Sequence, residues 1–166
     1  MVHLFDASGN DFELHIVGYQ FPDAEDPQKR FSWNMVEGSA TSEEAHWKFR
    51  WQALACHEPP RLVRWFLDVA EWLDRPSDTA GAPPEQIVFT EPNLALSVLE
   101  RISEAARIGV ALDLEFKPPA ARLGRVGAGN PAWVRINVDS ERLRRAAEAL
   151  AADISRFPDG LAPSHE

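Results

Sequence analysis

One cysteine, one tyrosine and two methionines are all that the 166 residues carry of those types. The lone Cys56 excludes an intramolecular disulfide and any cysteine-rich zinc site. No stretch approaches the roughly 18 consecutive apolar residues of a membrane span. The opening MVHLFDASGNDFE has neither the basic start nor the apolar core of a signal peptide, so a cytoplasmic protein with no membrane partner is expected. Basic residues are in the minority, 17 Lys and Arg against 26 Asp and Glu, a formal net charge of −9. An ordinary nucleic-acid binder would show a basic stripe instead. The acidic balance suits solubility and would steer association with a cationic partner.

What is abundant is bulk: six Trp and nine Phe in a chain that is 45% apolar. A chain of this length buries roughly 70% of its unfolded surface as one domain. Residues Ala45 to Leu54, AHWKFRWQAL, set Trp47, Phe49 and Trp51 on one side against His46, Lys48 and Arg50 on the other. A period of two predicts a half-buried strand at the centre of the core. Shorter alternations predict strands at Val2–Phe5, around Phe12, Leu14 and Ile16, and around Phe31, Trp33 and Met35. The acidic, proline-bearing run from Phe21 to Lys29 reads as a surface loop.

The period then changes. Leu62, Trp65, Phe66, Val69, Trp72 and Leu73 recur at helical spacing behind Pro59-Pro60, which suit a helix's first turn. Pro76 stops that helix, and a Pro/Ala/Gly loop follows. Strand, turn and strand are predicted across Ile87 to Val98 around Pro92-Asn93. Leu99 to Arg107 reads as continued strand and a turn, although propensity alone favours a helix there. Val110, Leu112, Leu114 and Phe116 predict one more strand, Val134, Ile136 and Val138 a last one, and Lys117 to Pro131 a long loop. Asp139 or Ser140 should cap a final helix with the stripe Leu143, Ala146, Ala147, Leu150 and Ile154.

These elements predict an α+β fold, a mostly antiparallel β-sheet with two α-helices packed on one face. Residues 1–158 read as a single domain without internal repeat, and 159–166 as a flexible tail. The outer sheet face would carry His15, Lys48, Arg50, Gln52, Asp113 and Glu115.

No catalytic device stands out. Cys56-His57 lacks any nucleophile signature around it, and a packed cysteine is the plainer reading. The histidines form no HExxH and no i,i+4 pair; His15 and His46 could meet across strands, but scattered surface histidines suffice. Gly124, Gly127 and Gly129 are followed by Asn130-Pro131 and a strand, without the Lys-Ser/Thr and helix of a phosphate loop. Asp113 and Glu115 share a spacing that two glycosidase carboxylates could use, though a solvated face is the commoner arrangement. Trp65 and Trp72 read as helical core. No cofactor, no metal and no enzymatic activity are expected.

Three segments carry a family resemblance: GYQFPDAEDPQKRFSWNMVEG (Gly18 to Gly38), FTEPNLAL (Phe89 to Leu96) and LDLEFKPP (Leu112 to Pro119). In order and spacing they resemble the WapI-type immunity proteins of bacteria, over roughly Gly18 to Pro158. The resemblance implies a cytoplasmic α+β domain without a cofactor, encoded beside a contact-dependent toxin and binding that toxin's domain. Many such toxins are nucleases with basic clefts, which an acidic protein can cover. The acids that this reading offers for the contact are Asp23, Glu25 and Asp26 in one loop and Glu43 and Glu44 in the next, expected on one side of the domain. The alternative is a non-enzymatic small-molecule-binding or regulatory domain.

Overall fold

A computed structural model describes residues 1–43, 45–122 and 130–159. In chain order the strands are β1 (Val2–Phe5), β2 (Asp11–Tyr19), β3 (Trp33–Thr41), β4 (His46–Ala55), β5 (Ile87–Val88), β6 (Leu94–Ile102), β7 (Ala105–Leu112) and β8 (Ala132–Asp139). The helices are α1 (Pro27–Arg30), α2 (Pro59–Asp74), α3 (Pro119–Arg122) and α4 (Ser140–Arg156), with a 3-10 turn at Leu114–Phe116. The α+β class holds, but the strands form two antiparallel four-stranded sheets, β1-β2-β3-β4 and β5-β6-β7-β8, rather than one. Four strands followed by a long helix occur twice, a repetition of topology that the sequence does not display as a repeat.

The two sheets abut where β1 meets β8, and α2 packs against α4. Asp6, in the β1–β2 turn, ties the halves together. Its Oδ1 accepts from the amides of Ser8 at 2.9 Å and Asn10 at 3.2 Å, and its Oδ2 accepts from the amide of Asn137 in β8 at 3.1 Å. Arg144 of α4 pairs with Asp74 at the end of α2. One core unites the inner faces of both sheets with the stripes of both helices, Leu62, Phe66, Val69 and Leu73 on α2 and Leu143, Ala146, Ala147 and Leu150 on α4.

Local chemistry explains the boundaries. Asp139 caps α4, its Oδ1 accepting from the amide of Arg142 at 2.8 Å. Glu58 precedes Pro59-Pro60 of α2 and is 1% exposed. Its carboxylate accepts from the amide of Ala55 at 2.9 Å and from the amide and hydroxyl of Thr90 at 2.8 and 2.9 Å. Arg101 of β6 serves the other end of α2, donating to the carbonyls of Trp72 (3.1 Å), Leu73 (2.8 Å) and Arg75 (2.7 Å). Those are orphan carbonyls of the last helical turn. The indoles of Trp65 and Trp72 are buried and donate to the carbonyls of Glu85 and Gly81, strapping the loop after α2 onto the helix.

The Leu99 to Arg107 segment is a hairpin, Ile102 paired with Ala105 across a two-residue loop in which Ser103 takes φ 56°. Three expectations need correcting. Pro27–Arg30 forms a helical turn within the predicted loop. The strand expected through Phe116 ends at Leu112, because Asp113 accepts from the amide of Leu114 at 2.7 Å and starts the 3-10 turn. Trp51 is 42% exposed, whereas Trp47 and Phe49 are buried. That turn provides the cover: Trp47 Nε1 donates to the Phe116 carbonyl at 2.8 Å, and the Phe49 and Phe116 rings stack at 4.2 Å. Trp51 lies two residues further along β4, the outer strand of its sheet, just before a bulge that absorbs Ala53. Alternation gave its side of the strand and not the cover over it.

Candidate partner-binding surface

The first sheet turns its Phe12, Leu14, Ile16 and Val36 side into the core, so the alternate residues face outward. Strand register stacks them in rows: Asp11, Thr41 and His46; His3, Glu13, Ser39 and Lys48; His15, Glu37 and Arg50. An open groove of about 490 Å³ is lined by His15, Glu13, Glu37, Ser39, Lys48 and Arg50. Gly38 and Phe49 also line it. A Cβ on Gly38 would lie 2.0 Å from the carbonyl oxygen of Glu13 and 2.7 Å from Cζ of Phe49, so the close approach of strand and ring requires glycine.

Most polar groups on this face are held by a second layer of bonds. Asp153, 1% exposed on α4, accepts from His15 Nδ1 at 2.7 Å and from the Ile16 amide at 3.3 Å. Ser39 is buried and donates to Glu13 at 2.8 Å. Glu37 pairs with Arg50 at 3.6 Å, and Thr41 bonds His46 at 2.9 Å. The Lys48 side chain makes no hydrogen bond or ion pair among the described residues. Acids therefore occupy β2 and β3, and cations the edge strand β4.

His3, Asp11 and Glu13 place their ligand atoms within 4.8 Å of one another, and His3 Nε2 already bonds Asp11 at 2.6 Å. Neutral imidazole with two carboxylates is a donor set that a borderline divalent ion accepts. His15 and His46 do not meet; two register steps separate them, and each has its own partner.

The remaining sequence candidates are placed as follows. Cys56 is buried, and burial, with a smaller push from Asp159, raises its thiol to about 11, which keeps it protonated at neutral pH. Asp113 caps the 3-10 turn and pairs with Lys117 at 2.7 Å, and Glu115 accepts from the buried Asn93 at 2.9 Å. Neither belongs to an outer sheet face. Gln52 accepts from Gln20 at 2.6 Å. Gly124, Gly127 and Gly129 lie outside the described residues, as does the tail from 160 onward.

Of the acids read as partner contacts, Asp23 and Glu25 are exposed, and Asp26 caps α1 through the Gln28 amide at 3.0 Å. Glu43 is exposed, and Glu44 lies outside the described residues. The two loops do not share a side. Residues 20–32 join β2 to β3 at the Tyr19/Trp33 end, and 42–45 join β3 to β4 at the Thr41/His46 end. Nine residues of β3 separate them, roughly 26 Å at ~3.3 Å per residue. Reading the sequence missed Asp153, Glu58 and Arg101. A trace of Asp153 was present, three residues after Leu150 on the buried stripe.

The model of the Immunity protein WapI-like family matches residues 3–158. Neither the curated proteins nor the solved structures yield a match. With nearly its whole length covered by one family model, the chain belongs to the Immunity protein WapI-like family.

Proposed function

We propose that this protein binds a bacterial toxin domain in the cytoplasm and neutralises it by occupying its surface, with no catalytic step of its own. The observation that carries the reading is the family match over residues 3–158. Charge and rigidity support it. A net charge of −9 draws a cationic toxin domain towards the protein. Two polar groups of the first sheet, His15 and Glu13, are fixed by Asp153 and Ser39 before any partner arrives, which lowers the entropy they lose on association. Asp23, Glu25 and Asp26 on one loop, and Glu43 and Glu44 on the other, act in this account as two separate acidic patches that steer encounter.

Co-expression tests it. Cells producing the toxin domain encoded by the adjoining gene should survive only when this chain is also produced. Death in both cases would contradict neutralisation. In that event a small-molecule-binding role becomes the better reading.

A further inference from the structure

We infer that the toxin domain docks on the outer face of the β1–β4 sheet, and that the matching toxin surface sets a basic side chain against Glu13 and Glu37 and a carboxylate against Lys48 and Arg50. This rests on the toxin-binding reading and names the surface that performs it.

The first support is preorganisation. A solvated sheet face needs polar residues but does not need them fixed. Here His15 is held at 2.7 Å by an aspartate that α4 buries, and Glu13 is held at 2.8 Å by a buried serine. Side chains locked by a supporting layer lose little freedom when a partner arrives. Among the described residues, no such bond holds the carboxylates of the exposed loop acids Asp23, Glu25 and Glu43.

Charge complementarity is the second support. Strand register separates the signs into adjoining strips, Asp11, Glu13 and Glu37 beside Lys48 and Arg50. In a chain of net charge −9, Lys48 stays without an ion-pair partner among the described residues. An isolated cation facing a groove of about 490 Å³ offers its pairing to an incoming carboxylate. The Glu37–Arg50 pair, long at 3.6 Å and exposed on both sides, can be shared with partner groups at small cost. A partner bearing both signs in the same order fits this face in one orientation and clashes in the reverse one, which fixes register as well as affinity.

The experiment uses the full chain and the toxin domain encoded by the adjoining gene, with association and dissociation rates measured by surface plasmon resonance. Three variants are compared: Lys48→Glu, the swap Glu37→Lys with Arg50→Glu, and the loop triple Asp23→Asn, Glu25→Gln, Asp26→Asn. The swap keeps an intramolecular ion pair and inverts the local field, so a purely structural role leaves binding intact. The expected result is at least a roughly tenfold weaker Kd for Lys48→Glu and for the swap, mostly through faster dissociation, with melting temperatures within a few degrees of wild type. The loop triple should slow association and leave dissociation unchanged. Wild-type affinity in both face variants would overturn the inference while leaving toxin binding intact, as would a loss confined to the loop triple. Failure of the wild-type chain to bind would overturn the toxin reading itself, and the docking face with it.

Discussion

Asp153 and His15, 138 positions apart in sequence, meet at 2.7 Å and fix the end of α4 to β2. β1 pairs with β2 only as far as Leu14, so the next part of β2 is a sheet edge, and Asp153 also accepts from the Ile16 amide there. A helix side chain thus stands where another strand would. Asp153→Ala should destabilise the protein by about 2–4 kcal/mol, since it strands a buried amide and a half-buried imidazole. Urea denaturation measures this, and a double-mutant cycle with His15→Gln should return a coupling of roughly 1 kcal/mol or more.

The two tryptophans of β4 should behave differently. Trp47 is buried and bonded to the Phe116 carbonyl, so Trp47→Ala should cost about 3–5 kcal/mol. Trp51 is 42% exposed, and its replacement by Ala should cost about 1 kcal/mol or less. Equal losses in chemical denaturation would contradict the placement of the Leu114–Phe116 turn.

Much of this architecture was legible in the sequence. Alternation located β2, β3, β4 and β8, the change to helical spacing located α2 and α4, and the hairpin at Ser103 was read against a competing helix propensity. What alternation reports is the side of a strand a residue takes, not what covers that side, so Trp51 was misplaced. Nor does it mark where a strand stops: the pattern ran on through Phe116, while Asp113 found a better use for its carboxylate in bonding the Leu114 amide. The opposite placement of the acidic loops was already implicit in antiparallel connectivity, since successive hairpin loops alternate ends. The bonds that organise the outer face were out of reach, because His15 and Asp153, or Glu58 and Thr90, are ordinary polar residues until the fold joins them.

Arg101 closes the C-terminal end of α2 with three carbonyls, a task suited to a planar fork of donors. Arg101→Ala should cost about 1–3 kcal/mol. Arg101→Lys should recover less than half of that loss, because one ammonium cannot reproduce the geometry. Full recovery by lysine in thermal denaturation would reduce the contribution to simple charge.

Acid should weaken the fold through a defined set of aspartates. Asp74 is held below its ordinary 3.8, first by its hydrogen bond with Arg144. Asp6 and Asp113 are pushed up by burial, but the Asn137 amide for Asp6 and Lys117 for Asp113 lead the bonds that bring both below 3.8. A carboxylate with a depressed folded pKa contributes stability that is complete above its unfolded pKa near 3.8. That contribution is lost as pH falls through the lower folded value. Stability should therefore fall as pH drops from about 4.5 towards 2, and Asp6→Asn should flatten that slope. A variant whose acid profile parallels the wild type would remove Asp6 from the account.

Metal should be dispensable. The His3, Asp11 and Glu13 cluster lies on the surface, and His3→Ala should change stability by about 1 kcal/mol or less, with or without chelator. Elemental analysis finding one equivalent of zinc per chain, lost together with folding in that variant, would reverse this expectation.

Direct calorimetry of the purified chain with the proposed partner, a toxin domain sought in the adjoining gene, tests the central claim. The account predicts a one-to-one complex whose association slows as salt rises, and whose formation abolishes the toxin's activity in vitro. No heat of binding, together with undiminished toxin activity at equimolar protein, would contradict it.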